Sequence, residues 1–193
     1  MINNKKFSIK AIFLDRDGTI VEEPGSLRRK NTSDADVDSI SKLHILPNAI
    51  KGLKKMINMG YTIFIITNQD AINRGTLTIE LYNKIENILT DKFGKHGITI
   101  EKWLFCPHTS EEICTCRKPK TGLIDSLKGE YDIDFVNSYV IGDRESDLLL
   151  AEKLKMTGIL VKRNEKEIEK TRAKFIAENI YDACRFIKII KNK

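Results

Sequence analysis

Two carboxylates separated by one residue are the first side chains in the sequence that could carry out chemistry. Asp15 and Asp17 follow the apolar run 11–14 and precede Gly18. Such a run is typical of a buried parallel strand, and ligands in open α/β sheets bind beyond the carboxyl ends of strands. Because two close carboxylates repel each other unless a cation or a proton lies between them, we predict a site for a hard divalent ion such as Mg²⁺.

A plain turn is the alternative explanation of this stretch, since Asp and Gly both favour turns. The same pattern also opens the calcium-binding loops of EF-hands. The EF-hand interpretation fails here, because Ile20 and Val21 stand where further oxygen ligands would be needed. The choice between a turn and a binding site therefore depends on the residues downstream.

Three cysteines and a histidine form a second cluster. The four residues are Cys106, His108, Cys114 and Cys116. Three thiolates and an imidazole are a common ligand set of structural zinc, and all four coordination positions would come from the protein. Disulfides explain the cluster less well, because three cysteines leave one unpaired and cytosolic proteins rarely hold stable disulfides. We therefore predict a structural Zn²⁺ in this loop, whereas Cys184 is predicted to be a buried free thiol.

Polar side chains that suit an anion occur at two further places. Arg117 and Lys118 follow the last clustered cysteine directly, and a guanidinium fork beside an ammonium group is well suited to hold phosphate. Thr67 and Asn68 come at the end of another predicted strand, where they could hydrogen-bond an anionic ligand. A strand-to-helix turn with an Asn cap explains that pair equally well.

The hydrophobic pattern predicts the elements that would position these side chains. Predicted strands cover residues 11–14, 61–66, 101–105, 138–141 and 158–161, and predicted helices cover 47–59, 78–93, 122–127 and 148–154. Strands that alternate with helices indicate a mainly parallel sheet covered on both faces. The sequence therefore predicts an α/β fold, a Rossmann-like three-layer sandwich.

The chain of 193 residues suits a single domain. We expect a catalytic core over residues 10–163 and a C-terminal tail over residues 164–193. The tail is predicted to form one or two amphipathic helices that pack on the core. The polar stretch 26–41 is predicted to be a long loop, and loops of that length are often functional.

A formal net charge of +6 would suit a nucleic-acid-binding protein. Much of the excess lies in the C-terminal part, however, where Lys and Arg alternate with Glu as on a solvated helix face. We therefore expect no nucleic-acid partner. The apolar runs fall far short of the roughly 18–20 residues that cross a bilayer, and the polar N-terminus lacks the apolar region of a signal peptide. These features predict a cytoplasmic protein without membrane contact.

Four motifs, read in order, resemble those of the haloacid dehalogenase (HAD) superfamily. They are Asp15-x-Asp17-Gly18-Thr19, Thr67-Asn68, Lys118, and Gly142-Asp143-x₃-Asp147. The resemblance covers Lys10 to about Arg163. The cysteine cluster that leads into Arg-Lys-Pro narrows it to two groups, the histidinol-phosphate phosphatases and the D-glycero-D-manno-heptose 1,7-bisphosphate phosphatases. Both groups lack a large cap domain, so the resemblance implies a capless protein.

The resemblance implies a Mg²⁺-dependent phosphomonoesterase that acts on a small phosphorylated metabolite. Asp15 would be the nucleophile that forms an aspartyl-phosphate, and Asp17 would protonate the leaving alkoxide and then activate the hydrolytic water. Thr67, Asn68 and Lys118 would hold the transferring phosphoryl group. Independently of the resemblance, a carboxylate attacks a dianionic phosphate readily only where cations offset the repulsion.

The resemblance also implies a ligand set for the magnesium ion. Asp15, Asp17 and Asp143 would bind it, and Asp147 would support them. Arg16 and Asp17 would additionally lend backbone groups to phosphate and metal. The motifs make no prediction of the oligomeric state.

Local features favour histidinol phosphate as the substrate, and with it a role in histidine biosynthesis. The stretches that resemble the histidinol-phosphate group are Glu22-Glu23-Pro24, Thr67-Asn68-Gln69-Asp70, Ser138-Tyr139-Val140-Ile141-Gly142-Asp143-Arg144 and the five-residue gap between His108 and Cys114. Glu22 and Glu23 would also attract the cationic amine of histidinol phosphate.

Other features leave alternatives open. Ile72-Asn73-Arg74-Gly75 is closer to the heptose group and stands where contacts with the leaving group are expected, so Arg74 is a candidate substrate-binding residue. The heptose bisphosphate is therefore the second candidate substrate. The basic tail would suit a nucleic-acid 3′-phosphatase, and a zinc-stabilised interaction module without catalysis is the non-enzymatic alternative.

Overall fold

The structure is a computed structural model that describes residues 8–22, 40, 43–162 and 171–188. The strands are β1 (Ala11–Leu14), β2 (Thr62–Asn68), β3 (Lys102–Cys106), β4 (Tyr139–Gly142), β5 (Thr157–Val161) and β6 (Ile176–Ala177). The helices are α1 (Ala49–Asn58), α2 (Ile79–Gly94), α3 (Gly122–Asp125), α4 (Glu145–Lys153) and α5 (Ile180–Ala183). The strands form one sheet in the order β3-β2-β1-β4-β5-β6, and every pairing is parallel. The predicted α/β fold is confirmed.

Strand β1 lies inside the sheet and is buried along its whole length. Because successive side chains of a strand point to opposite faces, its apolar residues divide between two cores. Ile12 and Leu14 pack with residues of α1, α2 and α5. Ala11 and Phe13 pack on the other face with residues of α3 and α4. Helices therefore cover both faces, which confirms the three-layer sandwich.

The helix after β4 begins earlier in the chain than the sequence pattern predicts. The prediction placed it at 148–154, but α4 covers Glu145–Lys153. The carboxylates of Glu145 and Asp147 lie in its first turn, where the unpaired backbone N–H groups favour negative charge. Apolar periodicity could not detect this polar first turn. Asp147 is therefore a helical residue and not part of the preceding loop.

The described part of the tail contains a strand that the sequence pattern does not predict. Ile176 and Ala177 form a sixth strand that pairs with Leu160 and Val161 of β5. Only the four-residue helix α5 and a short 3₁₀ turn follow, and residues 163–170 and 189–193 lie outside the described residues. The open edge of β5 offers unpaired backbone groups, so a two-residue pairing stabilises the segment without any periodic signal. The predicted packing of the tail on the core is confirmed for Ile180 and Ile187, which are buried.

Some sequence predictions fall on residues that the structure does not describe. Glu23 and nearly all of the predicted loop 26–41 are among them. The expectation of a capless protein depends on that stretch and stays a prediction. Among the described residues, every helix is too short or too polar to traverse a bilayer.

Candidate active site

Three buried carboxylates meet at the carboxyl edge of the sheet. Asp15 directly follows β1, Asp143 directly follows the neighbouring β4, and Asp147 lies one turn into α4. One carboxylate oxygen of each lies within 4.8 Å of the others, and all three residues are at most 5% exposed. Because parallel strands end at the same edge, the two strand-end positions come together only through the pairing of β1 with β4.

Two glycines make room for these carboxylates. Gly18 has a φ of +80°, a region that favours glycine, and a Cβ built on it would stand 2.8 Å from Cγ of Asp143 and nearer still to Oδ2. A Cβ on Gly142 would stand 2.7 Å from Cβ of Asp147 and would overlap its carboxylate. The glycines of the two predicted motifs thus allow the backbone to approach the carboxylates closely.

Lys118 is the cation at the centre of this cluster. Its Nζ lies 2.6 Å from Oδ1 of Asp15 and 2.7 Å from Oδ1 of Asp147, and it donates a hydrogen bond to the carbonyl of Ile66 at 3.0 Å. The backbone N–H of Lys118 donates to Oδ1 of Asn68 at 3.0 Å, and Nδ2 of Asn68 donates to the carbonyl of Lys118 at 3.2 Å. Asn68 therefore fixes the backbone from which the ammonium group reaches the carboxylates.

The electrostatics of the cluster call for a further cation. Burial on its own would lower the pKa of Lys118, but the charges of Asp147 and Asp15 outweigh it and raise that pKa above its ordinary value. Burial, followed by the charges of Asp15 and Asp147, raises the pKa of Asp143 well above its ordinary value. Lys118 and the nearby guanidinium group of Arg144, whose charge opposes the rise in the pKa of Asp143, supply two positive charges for three carboxylates. The oxygen-rich, negatively charged set therefore fits a hard divalent cation.

Asp17 does not join this cluster, although the sequence placed it beside Asp15. Its carboxylate accepts hydrogen bonds from Nε and Nη2 of Arg16 at 2.9–3.1 Å and from Nε2 of Gln69 at 2.6 Å. Arg16 is 1% exposed and its guanidinium lies over the ring of Tyr82, so its side chain points into the protein. Gln69 also donates to Oγ1 of Thr67 at 2.8 Å. The structure thus connects Asp17 to the end of β2.

The cysteine cluster has the dimensions of a metal site. The four predicted ligand residues contribute atoms that all lie within 4.8 Å of one another. The Sγ atom of Cys106 is 2.8 Å from that of Cys116 and 3.9 Å from that of Cys114, and Nδ1 of His108 is 3.3–3.4 Å from two of these sulfurs. Tetrahedral coordination with metal–sulfur bonds of about 2.3 Å separates sulfurs by about 3.8 Å. The separation of 3.9 Å matches this value and that of 2.8 Å is shorter, so the fit to one metal ion rests on the donor set and its clustering within 4.8 Å.

The remaining predicted substrate residues that the structure describes are partly or fully exposed and lie outside the group of three carboxylates. Arg117 and Arg74 both form ion pairs with Asp70, each at 3.0 Å. Glu22 is exposed, and its backbone N–H donates to the carbonyl of His44. Cys184 is buried away from the metal cluster, as predicted for a free thiol.

Sequence reasoning named Gln69 and Asp70 within a motif but assigned neither of them a role in this site. Gln69 contacts both Asp17 and Thr67, and Asp70 joins two arginines. Both directly follow Thr67-Asn68, so their place after a buried strand was the available signal. The side chains that they contact come from other loops, and local sequence does not indicate those contacts.

Comparisons with known proteins agree with this geometry. A family model for HAD-hydrolase-like proteins matches residues 115–183. The "Histidine biosynthesis bifunctional protein HisB" of Buchnera aphidicola subsp. Schizaphis graminum is 38% identical over 156 residues, which are 81% of this chain and 42% of that protein. The HisB protein of Blochmanniella floridana is 36% identical over 150 residues, 78% of this chain and 40% of that protein. The chain belongs to the HAD-like family.

Solved structures show the same HAD-like fold. D,D-heptose 1,7-bisphosphate phosphatase from B. bronchiseptica, in complex with magnesium and phosphate, matches with a TM-score of 0.79 at 24% identity and covers 92% of this chain and 97% of its own. The corresponding phosphatase from Burkholderia thailandensis matches with a TM-score of 0.64 at 20% identity, over 92% and 97% of the two chains. This HAD-like chain spans less than half the length of the HisB relatives that it matches.

Proposed function

We propose that the protein is a phosphomonoesterase that hydrolyses a small phosphorylated metabolite, and that histidinol phosphate is its substrate. The observation that carries the proposal is the buried group of three carboxylates at the end of β1, two of which contact Nζ of Lys118. A purely structural role explains this group poorly, because buried charges contribute little to the stability of a fold. The same group is what phosphoryl transfer needs, namely a nucleophile and cations held in position.

Asp15 acts as the nucleophile in the proposed reaction. One oxygen of its carboxylate attacks phosphorus, the bond between phosphorus and the alkoxide oxygen breaks, and an aspartyl-phosphate forms. Asp17, whose carboxyl group contacts Arg16 and Gln69 in the structure, gives its proton to the leaving alkoxide. Asp17 then takes a proton from the water that attacks the aspartyl-phosphate, which releases inorganic phosphate and restores Asp15. Neither step requires an oxidant or a reductant.

Lys118 and the end of β2 bind the group that is transferred. Nζ of Lys118 already contacts the proposed nucleophile, so a phosphoryl oxygen bonded to Asp15 would come within its reach. Thr67 lies beside Gln69 at the same edge, and Asn68 holds the backbone of Lys118. We therefore assign direct phosphate contacts to Lys118 and Thr67 and a positioning role to Asn68.

We propose that Mg²⁺ is the divalent ion of the carboxylate cluster. Asp15 and Asp143 would hold it, Asp147 would support them, and Asp17 would add its backbone carbonyl. When bound, the ion would offset the negative charge that a phosphate brings to these carboxylates. The surplus of buried negative charge supports the assignment of a divalent cation to this cluster. The solved structure of the B. bronchiseptica phosphatase, which has the same fold, contains magnesium and phosphate.

We propose that the second metal is a structural Zn²⁺ bound by the four residues of the cysteine cluster. All of its ligands come from the protein, so no position is left for substrate. Arg117 and Lys118 follow this cluster directly, and Nη1 of Arg117 donates to the carbonyl of His108 at 2.8 Å. The bound metal would thereby order the loop that carries the catalytic lysine.

The choice of histidinol phosphate is supported by the relatives, which are named for histidine biosynthesis and are bifunctional. The chain matches only part of each, so the assignment to one of their activities is our proposal. D-glycero-D-manno-heptose 1,7-bisphosphate is the second candidate, favoured by the stretch from Ile72 to Gly75 and by the phosphatases of the same fold. The cytoplasmic location predicted from the sequence stays a prediction.

Phosphate release by the purified protein tests the proposal. In the presence of Mg²⁺ we expect turnover of histidinol phosphate with a higher kcat/KM than that of the heptose bisphosphate or of an aryl phosphate. Asp15→Asn keeps the size of the side chain and is expected to lose turnover while it retains the thermal stability of a folded protein. A preference for the heptose bisphosphate would establish the second candidate. An Asp15→Asn variant with native turnover would refute the mechanism.

A further inference from the structure

A partly exposed carboxylate, that of Asp70, lies between two guanidinium groups near the candidate active site. Nη2 of Arg74 lies 3.0 Å from Oδ1 of Asp70, and Nη2 of Arg117 lies 3.0 Å from its Oδ2. The three side chains are 22–35% exposed, so they are neither core nor free surface. Each oxygen of Asp70 therefore binds a different arginine.

This trio lies next to the reacting groups. Asp70 directly follows Gln69, which contacts the carboxylate of Asp17. Arg117 directly precedes Lys118, which contacts Asp15. The ion pair between Asp70 and Arg117 thus connects the loop after β2, whose Gln69 contacts the proposed acid, to the loop that supplies the lysine. A leaving group that projects from the phosphoryl group toward solvent would meet this trio.

A second set of contacts holds the two loops together. Nδ2 of Asn73 donates to Oε1 of Glu112 at 2.7 Å, and the backbone N–H of Thr109 donates to Oε2 of the same residue at 2.6 Å. The hydrogen bond from Nη1 of Arg117 to the carbonyl of His108 adds to them. The arginines are therefore held against Asp70 by a connected set of contacts and do not depend on one exposed ion pair.

The trio has a consequence for the charge of acceptable substrates. Two guanidinium groups at the mouth of a cleft would form a strong site for a second phosphate, because the guanidinium fork matches phosphate geometry. Asp70 already occupies one Nη2 of each arginine and adds a negative charge that repels a phosphate. A leaving group with a cationic amine is instead attracted by the carboxylate of Asp70, which offsets part of the repulsion from the two guanidinium groups.

We propose that Asp70 is a specificity-determining residue that keeps Arg74 and Arg117 from binding a second phosphate. The site then accepts phosphate monoesters with neutral or cationic leaving groups and discriminates against bisphosphates. The inference rests on the proposed phosphatase function and adds the charge of the leaving group to it. Asp70 acts through the arginines, so it is a positioning residue and not a catalytic one.

Asp70→Asn tests the inference, because the amide keeps the shape of the side chain and removes its charge. We expect the ratio of kcat/KM for heptose 1,7-bisphosphate to kcat/KM for histidinol phosphate to rise on the order of tenfold. This is the effect of one unit charge on another over roughly 10 Å at an effective dielectric constant of about 20. The change should appear in KM for the bisphosphate and should shrink with added salt. Asp91→Asn, at an exposed position of α2, is the matched control and should leave the ratio unchanged.

A second substitution separates electrostatics from a general disturbance of the loop. Arg74→Gln in the Asp70→Asn background should remove most of the gain for the bisphosphate, because one of the released cations is gone. A ratio that stays within twofold of the native value in Asp70→Asn would overturn the inference, even though phosphatase activity persisted.

Equilibrium binding provides a readout that needs no turnover. In an Asp15→Asn background, calorimetry should show that Asp70→Asn tightens binding of heptose 1,7-bisphosphate more than binding of histidinol phosphate. Equal binding changes for both compounds would refute the role of Asp70. Failure of the native protein to turn over any phosphate ester, with this binding difference present, would instead refute the proposed function alone.

Discussion

The close approach of Gly18 to Asp143 predicts that one added methyl group will disable the carboxylate cluster. A Cβ at Gly18 would stand 2.8 Å from Cγ of Asp143, whereas unstrained carbon atoms approach to about 3.5–4 Å. The carboxylate would therefore have to move by about 1 Å. Gly18→Ala is thus a direct test of whether the position of Asp143 matters.

Two costs are expected, and they can be separated. The φ of +80° at Gly18 disfavours any L-residue by about 1–2 kcal/mol, and overpacking against Asp143 adds about 1–3 kcal/mol. Gly97 has a φ of +70° with no atom within 4 Å of an added Cβ, so Gly97→Ala carries only the first cost. We expect Gly18→Ala to lower the free energy of unfolding by more than Gly97→Ala does.

Activity should separate the two variants more clearly than stability. A displacement of about 1 Å in a catalytic group lowers rates on the order of a hundredfold, so we expect that loss of kcat/KM in Gly18→Ala and none in Gly97→Ala. Phosphate release measured across a range of Mg²⁺ concentrations should also show a weaker apparent affinity for Mg²⁺ in Gly18→Ala. If Gly18→Ala kept kcat/KM within threefold of the native value, the assignment of Asp143 to the site would be refuted.

Two further predictions concern the buried lysine and the cysteine cluster. Lys118→Met leaves Asp15 and Asp147 without their cation, so we expect urea unfolding to show a free energy of unfolding lower by about 3–5 kcal/mol. Excess Mg²⁺ should partly restore that free energy. Equal losses with Mg²⁺ and with EDTA would contradict the proposed magnesium site. Cys116→Ser should lower both the bound zinc found by metal analysis and Tm, whereas Cys184→Ala should keep the full zinc content. A native zinc content in Cys116→Ser would refute the zinc site.

Much of the fold followed from local patterns. The run 11–14, the helix at 78–93 and the alternation of strands with helices predicted the sheet and its layers, because burial imposes a period on each element and that period is visible in sequence. Where polar residues begin an element, as in the first turn of α4, the pattern had no apolar residues to show. Where an element is only two residues long, as β6 is, no period exists at all.

For the site, the sequence by itself determined the chemical types. The sequence showed carboxylates after β1 and β4, the Arg-Lys pair and the four proposed zinc ligands of the cysteine cluster, because their spacing within single loops carries the information. Local spacing also placed Cys184 outside the metal cluster.

Only the tertiary structure decided which of these groups meet. Asp15 and Asp143 are far apart in the chain and come together because β1 pairs with β4, while Asp17, two residues from Asp15, turns to Arg16 and Gln69. Asp70 joins Arg74 to Arg117 across two loops. Strand order and loop packing set such contacts, and they depend on the burial of the whole chain, so no local stretch of sequence can specify them.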